Sequence, residues 1–164
     1  MELRFEVVKV EKPEELNIII GQAHFIKTVE DLYEALIEVS PVIKFGIAFC
    51  EASGKCLVRT EGNDQELKSI AVKNALKIGC GHMFFIILKD AYPLNVLNRI
   101  KQLSEVCAVF CAGANEVEVV VAVTGQGRAF LGAVDGFSPN GIEDDSEVKW
   151  RKGFLRKIGY KLGE

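Results

Sequence analysis

From His82 to Lys89 the chain reads HMFFIILK, six apolar side chains between an imidazole and a lysine. A short run of this kind, rich in aromatic and β-branched residues, suits a strand. A strand that is apolar at every position must be covered on both faces. The run therefore predicts a central strand with one layer above it and another below.

The rest of the chain supplies those layers. ELRFEVVKV (2–10) and LNIIIG (16–21) read as strands, with a turn at Pro13 between them. In VEDLYEALIEVS the apolar Val29, Leu32, Ala35, Leu36 and Val39 follow helical spacing, behind Thr28 as a cap. IKFGIAFCEA (43–52) and KCLVRT (55–60) are strands joined through Ser53-Gly54. The loop Gly62-Asn63-Asp64 caps a helix over 65–78 that stops at Gly79. Tyr92-Pro93 opens another helix. VCAVFCAGA, VEVVVAVT and GRAFLGAVDG are successive strands, and SEVKWRKGFLRKIGY is a terminal helix.

Seven or eight strands with about four helices, and consecutive strands near the C-terminus, predict an α+β fold. Its form is a mixed, largely antiparallel sheet layered with helices. No linker, repeat or low-complexity segment divides residues 1–164, so one domain is expected.

Composition narrows the function. Hydrophobic residues make up 49% of the chain, enough for a substantial core and a buried subunit interface. The net charge of −3 argues against a nucleic-acid partner. The cationic run VKWRKGFLRKIGYKLG follows the acidic IEDDSE, which suits the dipole of one helix. The N-terminus is no signal peptide, and no apolar run reaches membrane-spanning length, so a cytoplasmic protein without membrane attachment is expected. Cys50, Cys56, Cys80, Cys107 and Cys111 form no CxxC pair and only two histidines accompany them, which disfavours zinc. Most of these thiols are expected in the core.

Familiar phosphate-binding and hydrolytic motifs are absent. There is no P-loop, no HExxH and no GxSxG. GQGRAF (125–130) starts like a dinucleotide fingerprint, but Phe130 replaces the third glycine and a strand follows. The remaining candidates are polar residues at element ends. Asn63 and Asp64 stand at a helix N-terminus, where backbone amides can meet an anion or a side chain can simply cap. Asn115 and Asp135 lie in turns. The loop after Asp135 is dense in Gly136, Ser138, Pro139, Asn140 and Gly141, and loops of this kind often carry function. Gln126 and Arg128 add an amide and a guanidinium suited to phosphate, although a surface ion pair would use Arg128 equally well. His82 follows Gly79 and Gly81, which remove side chains where backbone amides could approach a phosphate. An imidazole there either opens a buried strand or does chemistry. His24, in GQAHFIKT, favours a structural role.

GHMFFIILKDAYPLNVLNRIK, EVCAVFCAGANEVEVVVAVTGQGRAFLGAVDGFSPNGIE and RKGFLRKIGYKLG together resemble the adenosine-specific kinase family, small proteins mostly from archaea and thermophiles. KTVEDLYEAL, KFGIAFCEASG and RTEGND fit the same pattern, so the likeness spans nearly the whole chain. It implies an α+β subunit assembling as a homotrimer or hexamer, adenosine or AMP as ligand, and phosphoryl transfer. It also implies a phosphoryl-carrying histidine, which falls on His82. The Gly-Asn-Asp block falls on Asn63 and Asp64, the asparagine after the Phe-Cys-Ala strand on Asn115, and the Val-Asp-Gly loop on Asp135 and Gly136. The chain departs from the pattern at AGANE, where the family has a Thr-Ala-Asn-Pro-like turn. It departs again at TGQG, where Gly125 replaces a glutamate.

The leading expectation is a kinase that phosphorylates adenosine to AMP with ATP, with His82 forming a phosphoramidate or positioning phosphate. Mg²⁺ would be held by Asp64 or Asp135, either of which could instead act as base. Lys44 or Arg128 would steady the transferring charge. Asn63, Gly79, Gly81, Asn115, Arg128, Gly136 and Ser138 would bind the nucleotide. The alternative is a non-catalytic AMP- or adenosine-binding sensor, and a structural oligomerisation domain comes third.

Overall fold

The computed structural model describes residues 3–163, in which eight strands and four helices follow one another. They are β1 (Arg4–Lys9), β2 (Asn17–Ala23), α1 (Thr28–Val39), β3 (Lys44–Cys50), β4 (Val58–Gly62) and α2 (Gln65–Ile78). Then come β5 (Met83–Lys89), α3 (Pro93–Lys101), β6 (Val106–Gly113), β7 (Val117–Val123), β8 (Arg128–Asp135) and α4 (Asp145–Lys157).

The strands form two sheets rather than one. A five-stranded sheet has the order β4-β3-β5-β2-β6 and a three-stranded sheet the order β1-β7-β8. Every strand pairing among the described residues is antiparallel. The fold is α+β, as its sequence predicts.

β5 is the middle strand of the large sheet, and it is covered on both faces. Phe84, Ile86 and Leu88 pack with Leu32 and Leu36 of α1 and Val96 and Ile100 of α3. Met83, Phe85 and Ile87 point the other way, into a core with Ala71 and Ala75 of α2 and Val119 and Val121 of β7. Side chains alternate along a strand, so one apolar run serves two layers. The second core joins both sheets across α2.

Close packing of α2 on the large sheet depends on Gly46. A Cβ there would lie 2.1 Å from the backbone nitrogen of Lys68, so no larger residue fits. The predicted strand over 55–60 starts later, at Val58, and runs to Gly62, which leaves 51–57 as a connecting loop. α4 differs from the other helices in burying no residue. Its Trp150 and Phe154 stack on each other with rings 5.3 Å apart, yet are 64% and 42% exposed. No helix among the described residues is long and apolar enough to cross a membrane.

Candidate active site

Gly79 ends α2 in the left-handed region, φ 65°, its N–H donating to the Ala75 carbonyl at 2.8 Å. Glycine adopts this conformation freely, whereas other L-residues are strained. Cys80 then turns into the core. Gly81 lets the turn pass close to Ala52, whose Cβ would be 3.0 Å from any added Cβ. Both glycines thus make room for neighbours in their own chain, Arg128 beside Gly79 and Ala52 beside Gly81.

His82 comes next and also has a positive φ, 62°. Such a conformation in a residue other than glycine costs on the order of 1–3 kcal/mol and tends to mark functional sites. Two backbone hydrogen bonds hold it there. Its N–H donates to the Cys50 carbonyl at 2.7 Å, and its carbonyl accepts from the Ala23 N–H at 3.0 Å. The imidazole lies parallel to Phe49, 6.0 Å between ring centres and 5° between planes.

Glu51 stands beside that ring, its Oε1 3.9 Å from His82 Nε2. The other carboxylate oxygen accepts from Arg59 Nε at 3.0 Å. The Glu51 side chain is only 12% exposed. Pairing of β3 with β5 places Phe49 opposite Phe84, and this register brings Glu51 to His82 across thirty-one positions of sequence.

Two cavities flank this pair. One, about 460 Å³, is lined by His24, His82, Glu51, Ser53, Lys55 and Arg59. The chain's two histidines therefore face one space, although sequence assigned His24 a structural role. The second, about 590 Å³, is lined by Gly79, Gly81, Gln126 and Arg128 together with the apolar Val58 and Leu76. Glu51 and Cys56 border both. Arg128 is already engaged, donating from Nε to the Ile78 carbonyl at 2.7 Å and from its terminal nitrogen to Glu6 at 2.8 Å. Lys55 is exposed and has no ion-pair partner among the described residues, so it is the cation of the smaller cavity left to meet an anion.

Cys50, which lines the larger cavity, and Cys80, between its lining glycines Gly79 and Gly81, are buried and poor nucleophiles. Burial pushes Cys50 up to about 12 and raises Cys80 as well. Cys111, also buried, is pushed up to about 12, by burial first and then by Asp135. Cys56 and Cys107 are exposed. Three of the five cysteines are thus core residues, in line with expectation.

The remaining predicted residues lie elsewhere in the same chain. Asn63 ties the β4–α2 loop to β3, accepting from the Phe45 N–H at 2.9 Å and donating to the Ile43 carbonyl at 2.7 Å. Asp64 caps α2 by accepting from the Glu66 and Leu67 amides at 3.0 and 3.1 Å. The 14 residues of α2 separate Asp64 from Gly79 by about 21 Å. Asn115 donates to Asp135 at 3.1 Å, and Gly136 packs against the Asn115 amide with φ 70°. They stand at the end of β8 opposite Arg128, about 23 Å away along the strand. Ser138 is exposed in the loop beyond. Lys44 pairs with Lys89 at the end of β5 remote from His82. Of the predicted residues, the fold gathers Gly79, Gly81 and Arg128 around the larger cavity and sets His82 on the smaller one, with Glu51 and Cys56 bordering both.

Magnesium does not fit beside His82 through the predicted ligands. Asp64 and Asp135 both stand at the far end of the fold and already accept hydrogen bonds. Among the described residues no three His, Cys, Asp or Glu side chains converge to hold a metal ion.

Sequence reading missed Glu51, Lys55 and Arg59, because it placed them only as residues of two strands joined through Ser53-Gly54. A pairing register between the strands ending at Cys50 and beginning at Met83 would have exposed them, and a single sequence does not supply it.

Comparison with known proteins agrees with this architecture. No curated protein sequence matches the chain. Among solved structures, the PH1918 protein from Pyrococcus horikoshii OT3 is similar, at 50% identity over 99% of this chain and 100% of that one, with a TM-score of 0.94. The family model described as adenosine specific kinase matches residues 8–161. The chain belongs to the adenosine-specific kinase family.

Proposed function

We propose that the protein transfers the γ-phosphoryl group of ATP to adenosine, giving AMP, with His82 carrying or positioning that group. A kinase role follows from the family, and ATP is the donor that such a family implies. The observation that carries the finer reading is the placement of His82. Its strained backbone is held by β2 and β3, and its ring borders a cavity with one uncommitted lysine. Phosphoryl transfer needs positioning and charge neutralisation more than covalent machinery, and Lys55 and the His82 imidazole meet that need. The larger cavity, with apolar walls and the Gln126 amide, suits a nucleoside.

Asn115, Asp135, Gly136 and Ser138 take part only if a second copy brings them to His82, because one chain holds them at opposite ends. A homotrimer or hexamer is the assembly we infer. Its support is the C-terminal segment, where Phe137, Ile142, Trp150 and Phe154 stay exposed. Apolar surface of this kind marks subunit contact.

The direct test is incubation with adenosine, ATP and Mg²⁺ followed by chromatography for AMP. AMP formation dependent on His82 supports the kinase. Tight AMP binding without turnover would identify the alternative, a sensor.

A further inference from the structure

We infer that α4 is an arm that docks, on a second copy of this chain, along the outer face of the three-stranded sheet β1-β7-β8. This contact presupposes the homo-oligomer of the proposed function and assigns its two surfaces.

The inner face of the small sheet, with Val8, Val119 and Val121, belongs to the core. Side chains alternate along a strand, so Phe5, Val7, Val120 and Val134 point the other way. The open face of an antiparallel sheet is ordinarily polar. Here Phe5 and Val7 on one edge strand, and Leu131 and Val134 on the other, are 48% to 65% exposed. Ala122, Ala129 and Gly132 share the face, and a Cβ added at Gly132 would meet nothing within 4 Å. The face is apolar and open.

α4 is the matching element, since it buries no residue. Trp150 and Phe154 lie one turn apart and share a groove with Lys149 and Lys157. Beyond the helix, the Tyr160 hydroxyl accepts from Asn95 at 3.0 Å, so the arm is tethered to its own body while its aromatic face is left in solvent. Its 13 residues span about 20 Å, with a diameter of about 10 Å. The sheet face is three strands wide, about 14 Å, and about 20 Å long, a seat for one such helix.

Charge selects the partner. Lys149, Arg151, Lys152, Arg156, Lys157 and Lys161 follow one another with no acid up to Gly163. Without these six cations the net charge of −3 becomes −9, so a basic arm faces an acidic body of the same sequence. Glu118, exposed on the outer face between Lys9 and Val134, has no ion-pair partner among the described residues and is the counter-charge for Lys149 or Lys157. Area selects the arrangement. A face of about 300 Å² is too small for two sheets to pair alone, against about 800 Å² per partner in a stable interface. A head-to-tail contact, in which each copy gives one arm and receives another, doubles that area, and exposed Phe137 and Ile142 add to it. Head-to-tail contacts that close make rings.

The test joins sedimentation with photocrosslinking of the full-length protein. Trp150→Ala with Phe154→Ala, and separately Val7→Glu, should each raise the dissociation constant of the assembly at least about 30-fold. Val42→Glu, exposed in the turn after α1, should leave it unchanged. Unlabelled protein with p-benzoylphenylalanine in place of Trp150, mixed with ¹⁵N-labelled wild type, should crosslink to β1, β7 or β8 peptides of the other isotope. This arm decides even if a variant fails to fold. A crosslink confined to its own chain, or one mapping to another surface, overturns the docking and leaves the homo-oligomer standing. An assembly that survives both variants does the same. Wild-type protein that sediments only at 18.1 kDa overturns the docking and the homo-oligomer together.

Discussion

Arg128 reaches from the first residue of β8 to the last residue of α2, its Nε–H donating to the Ile78 carbonyl at 2.7 Å. One side chain thereby ties the small sheet to the helix stop that precedes His82. Arg128→Ala leaves that carbonyl without its donor and breaks the pair with Glu6. We expect a loss of about 1–3 kcal/mol in urea unfolding. Lysine should not restore it, since it lacks the fork that serves both partners at once. Gly79→Ala, beside Arg128 and at φ 65°, should cost about 1–2 kcal/mol by the same measurement.

Gly46→Ala tests the packing of α2 on the large sheet. The new methyl would meet backbone rather than a flexible side-chain tip, so neither partner yields easily. Its cost should reach at least about 3 kcal/mol, the upper end for overpacking. Gly141→Ala, with nothing within 4 Å, is the control and should fall within about 0.5 kcal/mol of wild type.

Alkylation of the native protein should modify Cys56 and Cys107 and spare Cys50, Cys80 and Cys111, whose thiols are buried and raised. Peptide mass spectrometry after a brief iodoacetamide pulse reads this directly. Rapid labelling of Cys50 in folded protein would show that the larger cavity opens further than its walls indicate.

Glu11 is held down at about 2 from an ordinary 4.5, first by hydrogen bonding to Lys73 and then to Lys77. A depressed carboxyl stabilises the fold above its unfolded value and loses that effect as pH falls through its folded value. Stability should therefore decline between about pH 4.5 and 2. Lys73→Met with Lys77→Met should reduce the slope in that window. Acid titrations of denaturant midpoints, wild type against double variant, make the comparison.

The central strand was the most legible part of the sequence, because an apolar run with no polar face admits one placement. Helix boundaries around Asp64 and Gly79 were legible through capping chemistry. The split into two sheets was not, since β1 pairs with β7 across more than a hundred residues and local pattern does not record such partners. His82 was legible from its glycine neighbours and the family pattern. Glu51 was not, because its link to His82 exists only through the register of β3 on β5. Asp64 and Asp135 read as metal ligands from residue type, and their positions in one chain answer instead to capping and to Asn115.

The most direct measurement is labelling with γ-³²P-ATP, followed by acid and alkali treatment and mapping of the modified peptide. The account predicts label on His82 that is lost in acid and kept in alkali, absent from His82→Ala. Unlabelled protein, together with undiminished AMP formation by His82→Ala, would contradict it.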